Sequence, residues 1–321
     1  MTQYTTDKPP LVSIITPAYN RASYLDETIQ SVLGQEYEHI EYIVLDDGST
    51  DNTVEVLQKY SGRILWETHS NRGETFTVNK GLSMARGEII AVVNSDDPLL
   101  PDAVGTAVDF MQAHPDILVA YPDWDYIGPR SELIGHVRVP EYDYLHMVKQ
   151  HHCIVGPGAF IRRRAFELAG MRDPEFRYVA DFDLWLRLGL YGKFARIPKT
   201  LATFRTHPGS ATASRRGQAM AEEQVRVYDK FYARTDIPPE ARKVRAEAYS
   251  WAYAAAAWCS RPLSLTSLRY LLKSIVTHPP SALSKWKMVV PAVVPVPLYR
   301  LLAWSWYRVR RFRQDNTPFR G

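Results

Sequence analysis

Hydrophobic and polar positions switch between two periods along the first 120 residues. Leu11-Val12-Ser13-Ile14-Ile15 reads as a buried strand, and Leu25, Ile29, Val32 and Leu33 then recur at helical spacing. Tyr42-Ile43-Val44-Leu45 predicts a second strand. A helix should follow, capped near Ser49/Thr50 and carrying Val54 and Leu57 inward. Arg63-Ile64-Leu65-Trp66 is a third short strand. A helix with Val78, Leu82 and Ala85 on one face should end at Gly87 in a left-handed cap. Ile89 to Asn94 is the next strand, a helix is expected after Pro101, and Ile117-Leu118-Val119-Ala120 is a further strand. Such alternation implies an α/β fold with parallel pairing and right-handed crossovers. From about Tyr121 to Ser214 the pattern becomes irregular and rich in Trp, Tyr, Gly and Pro, as where substrate-contacting loops gather. Residues 218–260 read as helical, and Pro262 to Gly321 shows no clear pattern.

Composition narrows the function classes. The chain has 321 residues, 45% of them hydrophobic, enough for a full core of about 200–250 residues plus an appendage. A net charge of +4 argues against a dedicated nucleic-acid binder. The basic character is local. From Pro280 onward eight Lys and Arg face Asp315 alone, so the remainder is net negative. Two distant cysteines, Cys153 and Cys259, indicate no disulfide framework and fit a reducing cytoplasm. The polar Met1–Pro10 stretch does not read as a signal peptide. The apolar tract Met288–Tyr299 is interrupted by Pro291, Pro295 and Pro297, too short for the roughly 20 residues of a spanning helix.

Candidate chemistry sits at strand ends. Asp46-Asp47-Gly48-Ser49-Thr50-Asp51 and Asn94-Ser95-Asp96-Asp97 put carboxylate pairs where open α/β sheets hold ligands. Side by side they would seat a sugar ring and a divalent metal, pointing to a nucleotide-dependent enzyme. Neither G-x-G-x-x-G nor a P-loop is present.

These stretches also carry a resemblance. Ser13-Ile14-Ile15-Thr16-Pro17-Ala18-Tyr19-Asn20, Asp46 to Asp51, Asn71-Arg72-Gly73, Asn79-Lys80-Gly81, Ala85 to Ile90 and Asn94 to Asp97 resemble glycosyltransferase family 2 in order and spacing. The likeness runs from about residue 11 to 210. It implies a GT-A fold, a Rossmann-like and mostly parallel sheet flanked by helices, to which the helical pattern after residue 217 adds a helical C-terminal extension. The expected domains are a glycosyltransferase domain at 1–217 (nucleotide part about 11–122, acceptor part about 123–217) and a basic, aromatic extension at 218–321. The resemblance further implies a nucleotide-sugar donor, a divalent metal (Mn or Mg) and inversion at the anomeric carbon.

By that resemblance Pro17, Ala18, Tyr19, Asp46, Asp47, Arg72 and Asp96 would hold the nucleotide. The chemistry agrees, since carboxylates accept from ribose hydroxyls or a base N–H and planar Arg suits a carbonyl edge. The alternative for Asp46 and Asp51 is capping of the following helix. The family's metal motif is commonly Asp-x-Asp. Here Asn94 takes the leading position, leaving Asp97 as the expected metal ligand and Asp96 as a ribose partner or neighbour of the metal. Tyr178 to Arg187 resembles the segment whose aspartate is the general base, which maps to Asp181, with Ala180 replacing the usual glutamate. Asp183 is expected to bond backbone or Arg187. Phe204-Arg205-Thr206-His207 resembles a Tyr-Arg-x-His element, making His207 a further metal ligand or a donor to the departing diphosphate. Trp124, Asp125, Gly158 and Arg205 are candidates for contact with the donor sugar or acceptor. Arg215 and Arg216 are candidates for a lid, against a solvated loop. His151-His152-Cys153 invites a zinc reading, but adjacent residues rarely share one metal.

The function implied is transfer of a single sugar, from UDP first and dTDP or GDP otherwise, to a hydroxyl of a glycan or lipid-linked acceptor. That fits polysaccharide biosynthesis in the cell envelope. Lack of a Gln-x-x-Arg-Trp element disfavours a processive synthase. Alternatives are a catalytically silent nucleotide-sugar binding protein and a sugar-phosphate nucleotidyltransferase. The expected location is cytoplasmic, with a peripheral contact to anionic membrane through residues 280–321, set against a packed helical pair with a solvated basic face.

Overall fold

The computed structural model of the chain describes residues 9–207, 209 and 217–281. The proposed lid arginines, Arg215 and Arg216, and the tail beyond Ser281 lie outside them. The chain divides into two compact units, Met1–Met147 with His152–Ser214, and Val148–His151 with Arg215–Gly321.

The first unit begins as the sequence pattern requires. Strand β1 (Val12–Ala18) leads through α1 (Leu25–Leu33) to β2 (Ile40–Asp46), then α2 (Thr53–Gln58), β3 (Leu65–Thr68), α3 (Glu74–Met84), β4 (Ile89–Val92) and α4 (Ala103–Ala113). It continues with β5 (Ile117–Ile127), β6 (Leu133–Val137), α5 (Tyr144–Gln150), β7 (Phe160–Arg162), α6 (Arg163–Ala169), α7 (Ala180–Leu188) and β8 (Lys193–Arg205). The strands form one sheet in the order β3-β2-β1-β4-β7-β5-β6, with β8 along β5. Pairing is parallel among β1 to β4 and between β5 and β8, whereas β7 and β6 run against their neighbours. Six strands therefore point the same way, and their C-terminal ends share one edge.

Both faces of the central strands are dry. Val12, Ile14, Tyr42 and Val44 pack with Leu25, Ile29 and Leu57 on one face, and Ile15, Ile43, Leu45 and Ile90 with Val78 and Leu82 on the other. Each such side chain contributes about 1.5–3 kcal/mol on burial. The α/β expectation holds, but details differ. Helix α2 starts at Thr53, not near Ser49/Thr50, and Val56 rather than Val54 joins Leu57 inside. Gly87 makes no left-handed cap. A Cβ there would lie 2.5 Å from the Ser13 nitrogen, so glycine permits close approach of β1. The stretch read as irregular holds β6, β7, β8 and the second half of β5.

The second unit holds α8 (Gly217–Ala233), α9 (Pro239–Lys243), α10 (Arg245–Cys259) and α11 (Leu265–Thr277). Helix α10 packs on both α8 and α11. Its buried positions are mostly small, Ala248, Ser250, Ala252 and Ala254 to Ala257. Helix α11 lies in the segment for which the sequence showed no pattern. Among the described residues no helix is long and apolar enough to cross a membrane.

Candidate active site at the carboxyl edge of the sheet

The β1 and β2 ends are stitched together by short polar bonds. The Asp47 N–H donates to the Ala18 carbonyl (2.8 Å), that of Asn20 to Ser49 Oγ (2.8 Å), and that of Thr50 to Asn20 Oδ1 (2.8 Å). Asp46 is fully buried and accepts from Thr68 Oγ1 (2.6 Å) and the Ser49 N–H. It shapes the turn, and its carboxylate is closed to solvent. Asp47 accepts from the N–H groups of Arg72 (2.7 Å) and Gly73 (2.9 Å), drawing the 69–73 loop against β2. Gly48, at φ +72°, completes this turn, and a Cβ there would meet the Asn71 nitrogen at 2.8 Å. Asp51 accepts from the N–H groups of Thr53 (3.0 Å) and Ala22 (3.1 Å), the capping alternative. Pro17 and Ala18 are buried in β1 and present backbone only. Tyr19 follows them 45% exposed, an open aromatic face at the strand end, and the exposed Arg72 guanidinium lies 3.5 Å over Phe76.

At the β4 end the two aspartates part company. Asp97 turns inward, Oδ1 accepting from the Arg205 N–H (2.7 Å) and Oδ2 from Asn94 Nδ2 (2.9 Å). Burial, aided by the charge of Asp96, pushes its pKa up to about 7 against the pull of those donors. Asp96 faces the other way. Its Oδ2 lies 2.9 Å from His207 Nε2 and 3.3 Å from Arg21 Nε. His207 is buried against Tyr24 (ring centroids 4.6 Å apart), and its Nδ1 accepts from the Gly209 N–H (3.2 Å). The carboxylate beside the histidine is thus Asp96, and Asp97 is turned away from it.

Arg205 explains this arrangement. Its side chain is enclosed, donating to the Asp96 carbonyl (2.8 Å), the Gly128 carbonyl (3.1 Å), Ser131 Oγ (2.9 Å) and Glu27 Oε2 (2.6 Å), with Tyr24 across its face. It braces the corner through protein partners. Gly158, at φ +75°, packs closely, and a Cβ there would meet Ala202 Cβ at 2.5 Å. Asp125 pairs with His136 across β5 and β6 (2.7 Å). Trp124 packs against Tyr126 and Phe204, and its buried Nε1 finds no partner among the described residues.

Asp181 is the second residue of α7 and exposed, with Oδ1 accepting from the Phe182 N–H (2.7 Å). Its pKa is raised, because crowding on the protein side and the charge of Glu74 outweigh Arg172 and that N–H. The preceding segment is anchored to α3. Asn79 exchanges two bonds with the Arg172 backbone (2.7 and 3.0 Å), Thr75 Oγ1 donates to the Phe176 carbonyl (2.9 Å), and Arg172 pairs with Glu74 (2.9 Å). Since Arg72 and Gly73, just before Glu74, are held by Asp47, α3 links the β2 corner to Asp181. Asp183 is buried and paired with Arg187 (2.8 Å), as expected. Sequence reasoning missed Arg21, Tyr24, Glu27 and Arg172. Only Arg21 had a local signal, following directly on the first motif.

A metal fits the donor set at β4. Asp96 offers a hard oxygen and His207 a nitrogen, which together suit Mn²⁺ better than the all-oxygen preference of Mg²⁺. Among the described residues no cluster of three His, Cys, Asp or Glu side chains forms, so remaining ligands would come from donor phosphates and water. His151 and Cys153 join no such cluster.

Comparison with known proteins gives the family and the fold. The family model described as glycosyl transferase family 2 matches residues 13–168. An uncharacterized glycosyltransferase of Rickettsia typhi is 30% identical over 56% of this chain and 58% of its own length. The UDP-Glc:alpha-D-GlcNAc-diphosphoundecaprenol beta-1,3-glucosyltransferase WfaP of Escherichia coli is 30% identical over 67% of this chain and 85% of its own. Among solved structures, S. aureus TarS 1–349 in complex with UDP-GlcNAc superposes with TM-score 0.59 at 17% identity, over 86% of this chain and 92% of that one, a likeness of fold. The chain belongs to glycosyl transferase family 2.

Proposed function

We propose that the protein transfers one sugar from a nucleotide-diphosphate donor, UDP first among them, to a hydroxyl of a lipid-linked or glycan acceptor with inversion. The observation that carries this reading is the meeting of Asp96, His207 and Arg21 beside the Tyr19–Asp47–Arg72 corner. It offers one place for a diphosphate and another for a nucleoside. The WfaP name supports UDP and a diphosphate-lipid acceptor.

In this reading Tyr19 stacks on the base, and Asp47 orders the 69–73 loop that carries Arg72 to the base edge. Asp96 and His207 would hold the divalent metal, which when bound neutralises charge on the leaving diphosphate. Arg21 adds a fixed positive charge on the same side, where leaving-group charge develops. Asp181 takes the proton of the acceptor hydroxyl as its oxygen attacks the anomeric carbon from the face opposite the diphosphate. Its raised pKa suits that task, because a more basic carboxylate accepts a proton more readily.

The test has two stages. Thermal unfolding with UDP, dTDP and GDP, each with and without Mn²⁺, should show a metal-dependent rise for one nucleotide, about 2.7 kcal/mol at a hundredfold excess over Kd. That nucleotide's sugars are then assayed for transfer to a diphosphate-lipid acceptor. No shift with any nucleotide would overturn the donor site, and a shift without turnover would leave a binding protein.

A further inference from the structure

Helix α11 is built against the usual pattern. It buries Ser267, Leu271 and Ser274, while Leu265, Leu268, Leu272, Ile275 and Val276 stand 44% to 69% exposed. At 3.6 residues per turn these five occupy an arc of about 100°. The buried side is held by hydroxyls. Ser267 Oγ donates to the Ala257 carbonyl (3.1 Å), Ser274 Oγ to the Ser250 carbonyl (2.6 Å), and Ser250 Oγ to the Ser274 carbonyl. Helix α10 meets them with alanines. Small and hydroxylated inside, aliphatic outside, is how helices pack when their surroundings are apolar. It is the reverse of a helix that faces water.

Charge identifies those surroundings. Arg269 and Lys273 border the aliphatic arc on one side, and both are exposed. Between Glu247 and Asp315 the sequence contains no Asp or Glu but ten Lys and Arg. A second copy of this helix would bring like charges together. The basic residues of the chain's own segment 282–321, eight Lys and Arg against one Asp, offer the same sign, and cover by its apolar tract Met288–Tyr299 is an outcome that the test below separates. Anionic lipid offers the opposite sign next to an apolar layer, and basic residues reach headgroups from beside buried aliphatic ones.

We propose that the exposed face of α11 seats on an anionic lipid surface. With 13 residues the helix lies in the interface and does not span it. The proposal rests on α11 alone and is independent of the donor chemistry above.

Co-sedimentation of the full chain with vesicles of phosphatidylglycerol and phosphatidylcholine, against phosphatidylcholine alone, tests it. The parent should pellet with the anionic vesicles and release with salt. Leu272→Glu and Val276→Glu should each weaken binding about 10-fold, the factor for withdrawing one aliphatic side chain from an apolar layer, with Tm unchanged. Leu272→Trp should strengthen it, because indole favours the headgroup boundary. Arg269→Gln with Lys273→Gln should weaken binding and flatten its salt dependence. Failure of the parent to pellet, or undiminished pelleting of the glutamate variants, overturns the proposal. So does a fall in Tm for Leu272→Glu and Val276→Glu alike, which would show the face covered by residues 282–321. A concentration-dependent dimer of the parent, lost in those variants, would assign the face to a second copy instead.

Discussion

At the ends of β2 and β4 the carboxylates are cradled. Asp46 receives hydrogens from Ser49 and Thr68, Asp47 from Arg72 and Gly73, Asp97 from Asn94 and Arg205. At the start of α7, Asp181 accepts from Phe182 and otherwise opens to solvent, with a pKa raised by its crowded side. The difference separates two uses of one functional group. A carboxylate surrounded by donors fixes a loop, and one that meets a single donor keeps lone pairs for a substrate; a raised pKa does not separate the two, since cradled Asp97 is raised as well. Asp96 is intermediate, cradled only by groups that could themselves face a ligand, His207 and Arg21.

The comparison breaks most sharply at Asp181. Asp181→Asn should lower the transfer rate about 10²–10⁴-fold with nucleotide affinity unchanged. Its Tm at pH 7 should hold or rise, since the folded state disfavours the charge being removed. Equal rates in mutant and parent would sink the base assignment. Arg205→Met attacks the opposite pole. It strips the cradle, and urea unfolding should show a loss of about 3 kcal/mol, the low end for breaking a buried pair, because Glu27 is half exposed. Next come the neighbours at β4. Asp96→Asn should weaken Mn²⁺-dependent activation about 10–100-fold at constant Tm. Asp97→Asn should instead leave that activation in place, and its Tm at pH 7 should hold or rise, since the folded state disfavours that charge too. The reverse outcome would return the metal to Asp97. Tyr19→Ala should weaken nucleotide binding roughly 10-fold, as the loss of about 1–3 kcal/mol of stacking predicts, measurable by calorimetry. The smallest effect is on pH. With Asp181 as the proposed base, kcat/KM should fall with acid from a point above the ordinary carboxylate range, because the carboxylate must be deprotonated to accept a proton. Arg172→Met removes the positive charge that restrains that pKa and should move the limb to higher pH. A limb unmoved in Arg172→Met would place the titrating group elsewhere.

The sheet was legible as far as its period was regular. Strands β1, β2 and β4 bury both faces and read as near-continuous apolar runs. In β8, Arg196, Pro198, Lys199 and Thr203 interrupt the run. Arg196 pairs with buried Asp123, Pro198 removes a backbone donor, and Thr203 bonds the Pro98 carbonyl. Strand β6 is exposed along most of its length, and β7 has three residues, too few to show a period. At the site, the motifs located the corner but not the direction in which each side chain points. Whether Asp96 or Asp97 faces outward is decided by the Arg205 N–H, 108 residues further on. The burial of Arg205 depends on Glu27, which no local pattern ties to it.

The bond between Glu27 and Arg205 also bears on synthesis. Its partners are 178 residues apart, so a ribosome adding about 5–20 residues per second needs roughly 10–35 s between them. Late in that interval the nascent chain carries both acidic strand ends, and the brace behind the β4 end is still unmade. The corner that would receive a nucleotide therefore closes only after nearly the whole first unit has emerged, which ties ligand competence to completion of the sheet.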